Sequence, residues 1–191
     1  MAASAFATIS HGENQKSMFA ISANSLLLRM NMTKLTIELV PRTCWFSNVR
    51  TEVAISEWKQ IQYQVFSAAN RKCEICGGVG SKHPVECHEV WEYDDDKKTQ
   101  TLIRCIALCP KCHEVKHIGL ASKRGRLTQA IRHLAKVNGW SMADAEVYTD
   151  HAFEIWSQRS NFDWKLDISC LSELYGVTPK PKKFQKFEPR W

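Results

Sequence analysis

Cys73-Glu74-Ile75-Cys76 and Cys109-Pro110-Lys111-Cys112 are two Cys-x-x-Cys pairs with thirty-two residues between Cys76 and Cys109, and their reading decides the fold. Cysteines separated by only two residues do not suit a conventional disulfide framework. Two such turns instead present four thiolates that can close a tetrahedral zinc site with no open position, the structural kind of site. Gly77-Gly78 follows the first pair and lets the chain turn so that backbone amides face the sulfurs. With no good secretory signal in the N-terminal stretch, metal-bound thiolates point to the cytoplasm or another reducing intracellular compartment.

Between the pairs, Pro84 to Trp91 (PVECHEVW) and Thr101 to Leu108 (TLIRCIAL) read as strands, joined by a polar stretch that includes Asp94-Asp95-Asp96. After the second pair comes His113-Glu114-Val115-Lys116-His117. If a helix starts at Cys109, His113 and His117, four apart, share one face. The order is knuckle, strand, strand, knuckle, helix.

Further out, Lys34 to Val40 alternates Leu35, Ile37 and Leu39 with polar residues, the period of a half-buried strand, and Pro41 ends it. From Glu52 to Ala69, apolar residues recur every three to four positions, which predicts an amphipathic helix with Thr51 available as its cap. Leu127 to Val137 predicts a second helix stopped by Asn138-Gly139, and Ser141 with Asp144 starts a third. Trp164 to Ile168 reads as a short strand. The expected class is therefore α+β, a single domain over residues 33–175. Residues 1–32, rich in Ala, Ser and Asn, read as a disordered extension or a start codon placed too early. Residues 176–191, with five Lys or Arg, three Pro and Phe184, Phe187 and Trp191, read as a basic aromatic tail. Cys44 and Cys170 read as buried or partly buried thiols outside the cluster.

The run Cys73-x-x-Cys76, Glu86-Cys87-His88 and Leu108-Cys109-Pro110-Lys111-Cys112-His113 resembles the zinc-knuckle branch of the HNH (ββα-metal) endonucleases, over about residues 70–120. The resemblance implies a zinc-stabilised ββα-metal core with flanking amphipathic helices. It also implies a metal-dependent endonuclease or nickase that hydrolyses phosphodiester bonds in nucleic acid, DNA before RNA. In that family a strand histidine activates water, while a neighbouring His or Asp and a helix histidine hold one divalent ion. By position, His88 matches the base and His113 the helix ligand. Cys87 stands where the other ligand would be, and Arg104 stands where an Asn would orient the base. Cysteine is a soft ligand, suited to zinc and ill suited to magnesium, so either the metal preference differs or Glu86 or His117 supplies the missing donor. Arg104 has no acceptor and cannot replace the Asn, although it can contact phosphate.

The 191 residues are 44% hydrophobic and 24% charged, ordinary globular usage that argues against wholesale disorder and fibrous repeats. No apolar run is long enough to span a bilayer. The net charge of +6 is unevenly placed: Arg104 to Lys136 holds eight basic residues against one acid, Glu114. Arg104, Lys111, Lys116, Lys123, Arg124 and Arg126 form a basic belt beside the second knuckle, the electrostatic footprint of a phosphate-backbone binder. The alternative to an enzyme is a catalytically inactive, zinc-stabilised nucleic-acid-binding or adaptor module, for which Cys87 and Arg104 argue.

Overall fold

The computed structural model describes residues 33–45 and 48–180. The chain divides into Met1–Lys34 and Leu35–Trp191, and the second unit carries the fold. The expected extension over 1–32 lies outside the described residues, as do residues 181–191 of the expected tail. The start of that tail is packed: Val177 is buried and the Lys180 amide donates to the Glu52 carbonyl at 2.7 Å.

After a 3-10 turn at Arg42–Cys44, the helices and strands are α1 (Val49–Glu52), α2 (Ile55–Ala68), β1 (Glu86–Asp94), β2 (Thr99–Leu108), α3 (Pro110–Lys116) and α4 (Ile118–Lys123). They continue with α5 (Leu127–Asn138), α6 (Met142–Arg159), β3 (Lys165–Asp167) and α7 (Leu171–Tyr175). This is a mixed α+β architecture with one small sheet of order β1-β2-β3. No helix among the described residues is long and apolar enough to cross a membrane.

β1 and β2 form an antiparallel hairpin in which Glu86 pairs with Leu108, His88 with Ile106 and Val90 with Arg104, and the register shifts between Val90 and Trp91. Asp94 shapes the turn by accepting the Asp96 and Lys97 amides at 3.1 and 2.9 Å, which is how Asp stabilises a tight reversal. β3, where the Trp164–Ile168 pattern predicts a short strand, joins the other edge of β2 in parallel.

Successive strand residues face opposite sides, so the hairpin has two different faces. Trp91, Leu102, Cys105 and Ala107 enter a core with Ile61 and Val65 of α2 and Leu171 and Tyr175 of α7. Ile61, Leu102 and Leu171 are fully buried, each worth about 1.5–3 kcal/mol. His88, Ile106 and Leu108, also buried, belong to the opposite face, where α3 packs against both strands.

Two local expectations fail for identifiable reasons. Residues 34–40 form no strand. Their polar groups are taken by helices instead: Leu35 exchanges hydrogen bonds with the Asn138 side chain at 3.0 and 2.9 Å, and the Glu38 amide donates to the Lys116 carbonyl at 3.3 Å. The alternation still has its burial meaning, because Leu35 and Ile37 are buried. Thr51 does not cap the long helix. It lies inside α1, which Asn48 caps, while α2 begins with the Ala54 amide donating to Glu57 at 2.7 Å. Two helix signals hold: Ser141 and Asp144 form a capping box at the start of α6, and Gly139 ends α5 in the left-handed conformation.

Candidate metal centres

Cys73, Cys76, Cys109 and Cys112 converge with all four sulfurs within 4.8 Å of one another, a cluster that could hold a metal ion. The Sγ atoms of Cys76 and Cys109 are 3.7 Å apart. Thiolates about 2.3 Å from a tetrahedral zinc stand roughly 3.8 Å apart, so the donor set fits zinc. The first knuckle is a tight turn in which the Cys73 amide donates to the Gly78 carbonyl at 3.0 Å and the Gly77 amide to the Cys73 carbonyl at 2.9 Å. Gly77 has φ +71°, which a side chain would strain. The second knuckle is the start of α3, with Cys109 as its cap and Pro110 in its first turn. Gly80 brings the two ends of the module together: a Cβ there would stand 2.2 Å from the His83 carbonyl oxygen and 2.7 Å from Pro110 Cδ.

The protonation of the four thiols is uneven. A hydrogen bond from Cys112 holds the Cys73 thiol down at about 4. The same hydrogen bond, together with burial, pushes Cys112 up. Such a cluster ionises fully only around a cation. His133 of α5 adds a partner that the sequence reading did not single out, its Nε2 lying 3.2 Å from Cys112 Sγ.

The second cluster is His88, His113 and His117, each offering a nitrogen within 4.8 Å of the others. β1 places His88 on the face opposite the main core, α3 carries His113 in its last turn, and His117 is the residue that ends that helix. The rings meet edge to face, with centroids 5.3 Å apart for His88 and His113, 5.1 Å for His88 and His117 and 4.6 Å for His113 and His117. His88 is 4% exposed.

Two carboxylates hold two of the rings. His88 Nε2 lies 2.9 Å from Glu38 Oε2. Hydrogen bonds and charge from His88 and Lys116 hold the Glu38 carboxyl below its ordinary value despite burial. Glu86, held down against its burial by His83 and His113, bonds to His113 Nδ1 and lies 2.5 Å from His83 Nε2. An ionised carboxylate can only accept. His88 therefore donates from Nε2, leaving Nδ1 as its nitrogen for any further partner, and His113 donates from Nδ1 and keeps Nε2, which lies 3.1 Å from His117 Nε2. Burial and the two neighbouring imidazoles push His117 down to about 3, so it is a neutral donor at ordinary pH. A metal-binding imidazole whose other nitrogen is held by a carboxylate is a recurrent arrangement.

The remaining sequence-predicted residues divide. Glu86 reaches the histidine cluster through His113. Cys87 does not: it packs against the main core that contains Cys105, on the opposite strand face from His88. Arg104 bonds Glu74 at 2.7 Å, and Glu74 also accepts the Ala107 amide at 2.8 Å, so this arginine clamps the first knuckle to β2. Lys116 is not a surface cation. Its side chain is 4% exposed, paired with Glu38 and 2.6 Å from Thr36 Oγ1, because the last turn of α3 faces the segment that carries them. Arg126 pairs with Glu114 at 2.6 Å, and Lys123 lies over the Trp45 ring at 5.0 Å.

A cleft of about 510 Å³ opens beside the histidines, with Glu86, His113 and His117 on its wall and Lys111, Arg124 and Arg126 around it. His88 is not among its lining residues and sits behind the two helix histidines. The basic belt thus contributes three side chains to one concavity, while Arg104 and Lys116 serve the fold. Comparison with protein-family models, with curated proteins and with solved structures finds no match to this chain.

Proposed function

We propose that the chain is a metal-dependent endonuclease or nickase of the HNH type, hydrolysing phosphodiester bonds in nucleic acid, with β1, β2 and α3 as a ββα-metal core. The observation that carries this reading is the convergence of His88, His113 and His117, two of them held by carboxylates, at a cleft lined by Lys111, Arg124 and Arg126. In this reading zinc in the four cysteines is structural, and the three histidines hold a second divalent ion. Imidazole donors suit zinc, nickel and other first-row metals better than magnesium. Such an ion supplies Lewis acidity toward water and phosphoryl oxygen.

The protein's own groups do the rest. Glu86 keeps His113 in the tautomer with Nε2 inward, and the cleft cations seat the phosphates on either side of the scissile bond. We assign His88 as a third ligand in place of the general base that the resemblance implies, because it is buried and stands behind His113 and His117 rather than in the cleft. Cys87 has no part in the site, which removes the soft ligand from the problem.

The test is cleavage of supercoiled plasmid and single-stranded DNA by zinc-loaded protein across a series of divalent metals. Metal-dependent nicking that disappears in His113→Ala and His88→Ala supports the proposal. Salt-dependent binding with no cleavage under any metal would instead identify the nucleic-acid-binding module.

A further inference from the structure

We propose that Glu38, which lies fifty residues before His88 and outside the knuckle-to-knuckle module, is the residue that positions His88 in the histidine centre. The inference rests on the metal-site reading above but is read out separately from it. The strand residue at the place from which the resemblance would orient this histidine is Arg104. It carries only donors and is engaged by Glu74. Glu38 brings an acceptor to the same imidazole.

Three features show a built contact. Glu38 Oε2 is 2.9 Å from His88 Nε2, with side chains 14% and 4% exposed. The other oxygen, Oε1, is held by Lys116, whose ammonium also reaches Thr36 Oγ1 at 2.6 Å. The backbone carrying Glu38 is fixed by Asn138 on Leu35 and by the Lys116 carbonyl on the Glu38 amide. A segment that joins no sheet, with a buried ion pair at its centre, is costly to maintain. Its result is that His88 Nε2 is committed to Glu38, which leaves Nδ1 as the ring nitrogen for a metal ion.

The decisive comparison is between Glu38→Gln/Lys116→Met and Glu38→Leu/Lys116→Met. Both remove the buried charge pair, and they differ in whether residue 38 offers an acceptor. Histidine side-chain nitrogen NMR on the full chain, with zinc in the cysteine site only, should show His88 as the Nε2-protonated tautomer in the wild type and the Gln variant, and as a tautomer mixture in the Leu variant. Cobalt(II) titration should then show about 10- to 100-fold weaker binding at the histidine site of the Leu variant, with the cobalt–thiolate absorption of the cysteine site unchanged. An unchanged His88 tautomer in the Leu variant overturns the proposal. If the wild type takes up no cobalt beyond the cysteine site, the metal reading fails, and the tautomer measurement still decides the role of Glu38.

Discussion

The cysteine cluster and the histidine cluster use the same short helix and are built on opposite plans. α3 carries Cys112 and His113 and is flanked by its caps Cys109 and His117, so the helix with its caps contributes two donors to each. The cysteine site closes within one hairpin and two tight turns, its geometry set by local backbone bonds at Cys73, Gly77 and Gly78. The histidine site needs carboxylates brought in by tertiary packing, one of them from a segment fifty residues away. One is a closed polyhedron of donors, and the other opens on a cationic cleft. Local construction suits a part that forms early and holds the fold, whereas a site assembled from distant parts is the one expected to come apart without unfolding the chain.

That difference is broken most directly by Cys109→Ser. A structural zinc site contributes roughly 10–16 kcal/mol in small zinc domains, as much as the whole stability of an ordinary domain. The variant, like zinc-loaded protein treated with a strong chelator, should lose cooperative melting and its zinc by elemental analysis. An undisturbed melting curve would remove the structural role from the cluster. His113→Ala should do the reverse. The fold is retained, with stability within about 1 kcal/mol on the scale of ordinary half-buried substitutions, while metal-dependent cleavage falls by at least about 100-fold, since even outer partners of a metal site cost 10- to 100-fold. Equal loss of stability in the two variants would mean that the clusters are one structural unit.

Gly80→Ala sharpens the comparison at the point where the clusters meet. The new methyl would lie 2.2 Å from the His83 carbonyl and against Pro110, displacing the loop that carries His83, and through Glu86 the His113 ring. A loss of about 1–3 kcal/mol is expected from overpacking of this kind, read by thermal melting. The weakened variant should also bind metal less tightly at the histidine site. If only stability changes, the loop is a spacer and does not support His113.

The contrast between the clusters also explains what could be read in the sequence. Both knuckles, both hairpin strands and the helix after Cys109 follow from short-range spacing and periodicity, and each is present; of the alternating residues in 34–40, Leu35 and Ile37 are buried and Leu39 is half-buried. The pairing of His113 with His117 is legible for the same reason, because four residues is one helical turn. What could not be read depends on strand facing and on distant partners. Cys87 and His88 are adjacent in sequence and therefore point to opposite faces, so motif position alone could not decide which of them enters the site. Glu38 was hidden in an apparent strand, His133 in an apolar helix stripe, and Lys116 in a basic run whose other members face solvent. The signal that could have exposed Lys116 is its place in helix α3, four residues after Cys112 and one after the buried Val115, on the side that must face the protein.

His133→Ala should weaken the cysteine site far less than removing a ligand does. Its Nε2 can donate to the Cys112 sulfur, offsetting part of the negative charge of four thiolates around one dication. Zinc affinity is expected to fall by about 10-fold, measured by competition with a chromogenic chelator, with the four-thiolate cobalt spectrum preserved. A spectrum that changes its thiolate count would mean that His133 is itself a ligand.

The smallest effect belongs to the cleft. Arg124 lines it and has no carboxylate partner among the described residues, whereas Arg126 is partly spent on Glu114. A cation that meets a phosphate releases a counterion when it binds, so its removal should weaken nucleic-acid affinity a few-fold without regard to sequence. It should also lower the salt slope of binding by about one. Arg124→Ala should therefore bind DNA more weakly and with a shallower salt dependence, while Arg104→Ala, whose guanidinium is engaged at the knuckle, should leave the slope unchanged. Should the two variants exchange these behaviours, the phosphate path would run along the strand face of the hairpin, and the cleft beside the histidines would not be where nucleic acid lies.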